Sequence, residues 1–101
     1  MSVTALPSAE LAARLRAFKE QHGAEYRLTA LGYFGSYARN EASAQSDVDI
    51  VFDTDAPNLF RTAMMREDLE NWLGRPVDVV QLRGLGNVRL RARIEAEAIY
   101  V

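Results

Sequence analysis

Asp47 and Asp49 stand two residues apart in Ser46-Asp47-Val48-Asp49-Ile50, and Asp78 stands among Val77, Val79 and Val80. On a strand, side chains two apart leave the same face, so the first two carboxylates would share it with Cα atoms roughly 6.5–7 Å apart. Like charges at that spacing disfavour ionisation of at least one unless a cation compensates. A hard divalent ion such as Mg²⁺ suits them, because it takes oxygen ligands and keeps waters that a substrate phosphate can replace. Asp78 becomes the third carboxylate if its strand neighbours the first. Upstream, Gly35-Ser36-Tyr37-Ala38-Arg39 follows an apolar run. Glycine lets backbone approach a ligand closely, and the unpaired N–H groups of a helical stub, with the Ser36 hydroxyl, offer donors to an anion. A phosphate cradle ahead of a metal-holding carboxylate pair is what phosphoryl or nucleotidyl transfer requires. The bland alternatives are a solvated acidic face for Asp47 and Asp49, an edge-strand charge for Asp78 that discourages stray pairing, and an ion pair for Arg39.

The rest of the composition narrows the field. With 101 residues, the chain has room for one domain, taken as residues 1–101. Its 12 basic and 14 acidic side chains give a net charge of −2, which argues against nucleic acid as the main partner. There is no cysteine and one histidine, His22, so a thiolate or histidine metal cluster is excluded and any metal must be held by oxygen. No apolar run is long enough to span a bilayer, and Met1 to Glu10 lacks a basic-then-apolar leader, so the expected location is the cytoplasm.

Leu11, Leu15 and Phe18 predict an amphipathic helix over Ser8 to His22, with Ser8 as N-cap and Gly23 as stop. His22, in its last turn, reads as a partner of free carbonyls with no catalytic role. Leu28 to Phe34 reads as a strand entering the Gly35 turn, and Ser36 to Glu41 as a stub of helix. Asp47 to Asp53 alternates, with Val48, Ile50 and Phe52 on one face and Asp47, Asp49 and Asp53 opposite, interrupted by Val51, and is the clearest strand. Met65, Leu69, Trp72 and Leu73 mark a helix ended by Gly74, and Val77 to Leu82 is another strand. The tail from Leu85 to Val101 fits both periods; helix is favoured because Ala and Glu dominate its second half. Arg89, Arg91 and Arg93 are offset there by Glu95 and Glu97 and read as a solvated face. Three strands with intervening helices imply an α+β (α/β-type) domain: a small mixed sheet with helices packed on one face and the other face or one end open.

The two-part motif, Gly35-Ser36-Tyr37-Ala38-Arg39 followed by Ser46-Asp47-Val48-Asp49-Ile50, resembles the GSxAR...SDxDL signature of the DNA polymerase beta-like nucleotidyltransferases. More narrowly it is similar to the minimal nucleotidyltransferases (MNT), the antitoxin halves of prokaryotic HEPN/MNT toxin-antitoxin pairs. Leu73-Gly74-Arg75-Pro76-Val77-Asp78-Val79-Val80 resembles that family's LGxxVDLV stretch, so the likeness covers nearly the whole chain. The resemblance implies the polymerase beta-like fold, with Gly35, Ser36 and Arg39 holding ATP. It implies that Asp47 and Asp49 bind two Mg²⁺ ions and that Asp78 completes the metal site and helps deprotonate the acceptor. It further implies a cognate HEPN ribonuclease toxin as partner, silenced by AMP transfer to a hydroxyl, a tyrosine in the family, or alternatively by binding alone. One departure is Asn40, where the family has Gly after the Arg; Asn tolerates left-handed backbone best among the other residues, so the turn is expected to survive.

Overall fold

The computed structural model describes residues 6–101; the leader reading for Met1 to Ala5 lies outside them. In α1 (Ser8–His22) the helically spaced Leu11, Leu15 and Phe18 are all buried. Pro7 takes the N-cap position instead of Ser8, whose hydroxyl meets that of Tyr33 at 2.9 Å. Next come β1 (Leu28–Phe34), the stub α2 (Gly35–Ala38) and β2 (Val48–Thr54). The helix α3 (Leu59–Leu73) starts where the Asn58 side chain accepts the Arg61 N–H, and ends at Gly74, whose φ of 68° is left-handed. Then follow β3 (Val77–Gln81), α4 (Val88–Glu97) and β4 (Ile99–Tyr100).

The strands form one mixed sheet in the order β3-β2-β1-β4. β1 is antiparallel to both β2 and β4, while β2 and β3 are parallel, joined by α3 as the crossover that a parallel pair needs. Strand alternation divides the residues between two faces. Val48, Ile50 and Phe52 join Leu31, Tyr33 and Val77 in the main core with the buried residues of α1 and α3. Val51, on the other face, packs with Phe34 and with Ile94 of α4.

The expected mixed sheet with helices against it is therefore present, and it is larger than expected. The ambiguous tail holds both elements: α4, and then a fourth strand that closes on β1. The alternation of Val88, Leu90, Ala92 and Ile94 with arginines is incidental, because Leu90 and Ile94, four apart, are the pair that packs onto the second face. That face is consequently covered in part and not left open. Among the described residues no helix is long and apolar enough to cross a membrane.

Ile94, fully buried, is the residue that seats α4. Ile94→Ala is expected to cost about 2–4 kcal/mol in chemical denaturation. Leu59→Ala, at a position 88% exposed, should stay within about 0.5 kcal/mol.

Candidate active site

The parallel register of β2 and β3 sets Asp49 beside Asp78, so the two carboxylates leave one face from strands about 4.8 Å apart. Asp47 shares their parity but lies one residue before β2 and is exposed. Asp49 is half-buried and Asp78 exposed. Burial, followed by the charges of Asp78 and Asp47, pushes the Asp49 carboxyl above its ordinary value; Arg93 and Arg39 oppose the shift. Asp78 and Asp47 thus each lie within electrostatic reach of Asp49. Asp53, of the same parity, accepts the Arg83 N–H at 2.8 Å and serves the loop after β3.

The glycine turn is built against the same carboxylate. Phe34, the last residue of β1, is paired with Asp49, so the chain leaves the sheet beside it. Gly35 then adopts φ +71°, and a Cβ placed there would lie 2.1 Å from Asp49 Oδ2. Only glycine combines that backbone conformation with that approach. Two residues on, Tyr37 is buried in the main core and its hydroxyl accepts from Arg75 Nη1 at 2.8 Å, pegging the stub. Asn40 does adopt left-handed backbone, with φ of 62°, and the turn closes with Glu41 N–H donating to Ser36 O at 2.8 Å. Ser36 sits in this turn, half-buried.

Arg39 is in an ion pair: Nη1 donates to Glu97 Oε1 at 3.0 Å, and Nε to Glu41 at 3.3 Å. The pairing partner lies on α4 and not on the sheet. Glu97 also accepts the Gly35 N–H at 3.0 Å, while Arg93 Nε stands 3.6 Å away. Burial pushes the Glu97 carboxyl up, but the Gly35 N–H and the Arg39 guanidinium, with Arg93 beyond, outweigh it and hold the group below the usual carboxylate range. By spacing alone Arg93 and Glu97 read as a solvated i, i+4 pair; the contact of Glu97 with Gly35, 62 positions earlier, is one that spacing does not carry. Arg91 likewise caps a loop, donating to Leu82 O at 3.1 Å and Leu85 O at 3.2 Å. His22 bonds Glu25 at 3.0 Å and packs between Phe18 and Trp72, away from these groups.

Among the described residues no group of three or more His, Asp or Glu side chains is drawn together so that it could hold a metal ion. The donor set nonetheless fits a hard divalent cation, since every candidate ligand is a carboxylate oxygen. A positive charge there would relieve the burial and repulsion borne by Asp49. Mg²⁺ in particular is held by one or two carboxylates, the remaining positions going to water and phosphate oxygens.

Comparison with known proteins bears on the whole arrangement. The family model described as Nucleotidyltransferase domain matches residues 14–101. Protein adenylyltransferase MntA of Thermococcus cleftensis is 34% identical over 93 residues, covering 91% of this chain and 93% of that protein. A solved structure described as a minimal nucleotidyltransferase superposes with a TM-score of 0.77 at 35% identity, covering 93% of this chain and 95% of that one. An MNT antitoxin in complex with the tri-AMPylated Shewanella oneidensis HEPN toxin superposes with a TM-score of 0.60 at 20% identity, over 93% of this chain and 67% of the other, a likeness of fold. The family match runs through every strand and helix that positions Gly35, Asp49 and Asp78, and the chain belongs to the nucleotidyltransferase domain family.

Proposed function

We propose that this nucleotidyltransferase moves AMP from ATP onto a hydroxyl of a partner protein, a tyrosine of a cognate HEPN toxin, and so acts as an antitoxin. The observation that carries the reading is the side-by-side pair Asp49 and Asp78, set directly against the Gly35 turn. The relative named for protein adenylylation and the fold-level likeness to an MNT antitoxin with its AMPylated HEPN toxin support the choice of acceptor.

In this reading Gly35, Ser36 and Arg39 hold the triphosphate, and Asp47, Asp49 and Asp78 would hold Mg²⁺. When bound, the metal supplies charge neutralisation of the phosphates and of the departing pyrophosphate. The acceptor oxygen attacks the α-phosphorus in line; a new P–O bond forms as the bond to the β-phosphate bridging oxygen breaks, and pyrophosphate leaves. The hydroxyl proton passes to Asp78, the more exposed carboxylate of the pair. Arg39 reaches the triphosphate by exchanging its contact with Glu41 for a phosphate oxygen.

The test uses purified chain, Mg²⁺ and host lysate, with ATP labelled at the α-phosphate or at the γ-phosphate. Label on one protein band from the α-position alone, lost with Asp47→Asn, is the expected result. No band from either label, with a toxin still captured and silenced, would leave an antitoxin that acts by binding.

A further inference from the structure

We propose that Glu97 is a positioning residue of the nucleotide site: its carboxylate holds Gly35, and through Gly35 the Asp49 carboxylate, in the arrangement that transfer uses. The proposal rests on the nucleotidyl-transfer reading above and extends the site to the last turn of α4.

Its basis is a convergence on one oxygen. Glu97 Oε1 accepts from Gly35 N at 3.0 Å and from Arg39 Nη1 at 3.0 Å, with Arg93 Nε 3.6 Å away; Oε2 is 3.2 Å from the same Arg39 nitrogen. The ties join α4 to residues 62 and 58 positions earlier. The Glu97 side chain is only 18% exposed, and Ile94, fully buried one turn earlier, keeps the helix from swinging away.

Gly35 is therefore gripped on two sides. Its N–H is fixed by Glu97, and the space where a Cβ would stand is taken by the Asp49 carboxylate. A glycine has the widest choice of backbone conformation of any residue, so holding one at φ +71° requires an external restraint. Without Glu97, the turn could relax from Asp49 and give that carboxylate rotational freedom it now lacks. The same bond turns the Gly35 N–H toward α4, so Gly35 serves the triphosphate through the close backbone approach it permits, and the N–H and hydroxyl donors of the cradle come from Ser36 onward.

The experiment compares Glu97→Ala, Glu97→Asp and Glu97→Gln in the full chain. Gln keeps an acceptor oxygen at the same reach; Asp keeps the charge but withdraws it by one methylene. The readouts are hydrogen exchange of the Gly35 amide, Mg²⁺-dependent binding of a fluorescent ATP analogue without acceptor, and kcat and KM for AMP transfer. Ala and Asp should speed Gly35 exchange about tenfold or more and lower kcat by about 10- to 100-fold, with Gln within about threefold of the parent on both. A merely structural ion pair would give no recovery with Gln and would lower melting temperature instead of kcat. If Ala fails to fold, the Asp and Gln pair decides. Unchanged Gly35 exchange in Ala and Asp would overturn the proposal. So would tighter nucleotide binding in all three variants, which would make Glu97 an obstruction where phosphate belongs. If the parent chain transfers no AMP, the transfer reading fails separately, and amide exchange still shows whether Glu97 holds the turn.

Discussion

Asp49→Asn should stop AMP transfer while making the metal-free protein more stable. Asp49 is the carboxylate most enclosed by the site, pressed by Asp78 on the adjoining strand and by Asp47 before it. Replacing it with a neutral amide removes a ligand-grade oxygen anion, and kcat should fall at least about 10³-fold. The same change removes a charge that folding partly buries. Because the carboxyl is raised in the folded state above its ordinary 3.8, the folded protein binds the proton more tightly than the unfolded chain does. Stability contributed by this group is therefore greatest at low pH and declines as pH rises from the unfolded value through the raised folded one. The penalty grows as pH rises, so melts in chelator at neutral pH should show Asp49→Asn above the parent, with a flatter dependence on pH. Added Mg²⁺ and ATP should reverse the order, since only the parent gains from binding. A variant melting below the parent in chelator at neutral pH would contradict this account of Asp49.

Gly35→Ala should damage the fold and the chemistry together. The new Cβ would stand 2.1 Å from Asp49 Oδ2 on a backbone at φ +71°, so relief requires moving the carboxylate, the turn or both. A loss of about 2–3 kcal/mol in denaturant is expected, together with a fall of about 10²-fold or more in transfer. Gly74→Ala separates the two causes. Gly74 has nearly the same torsion, φ +68°, but nothing lies within 4 Å of its Cβ position. That variant should lose only about 1 kcal/mol, the cost of left-handed backbone, and keep full transfer rates. Equal effects of the two on kcat would mean that the contact with Asp49 does not matter.

What sequence alone revealed follows from the range of each interaction. The carboxylates of Asp47 and Asp49 were legible from local alternation, and Gly35 from its place between an apolar run and a stub. Asn40, with its positive φ, behaves as its chemistry suggests. The pairing of Asp49 with Asp78 required one further step, that strands flanking a helix lie parallel and adjacent, and β2, α3 and β3 obey it. The tail was harder because residues 88–94 satisfy both periods; the Ala and Glu of its second half point to the helix that forms, whereas its contact with Phe34 and Val51 and the short strand β4 depend on distant residues. Ser8 is bound to Tyr33, a partner on another element, and so leaves the cap it was expected to make. The role of Glu97 was beyond reach for the same reason: its spacing from Arg93 advertises a helix-surface pair, while the contact with Gly35 exists only once α4 is laid across the sheet.

The division of the buried residues between two clusters gives that last contact a meaning for local stability. The main cluster gathers fourteen buried residues between Leu11 and Val77, whereas α4 is seated through a cluster of three, Phe34, Val51 and Ile94. An element held by few buried residues opens at a lower free energy than the whole fold. Opening of α4 alone would take Glu97 from the Gly35 N–H while the sheet stays paired, so the brace on the glycine turn is weaker than the scaffold that carries the carboxylates.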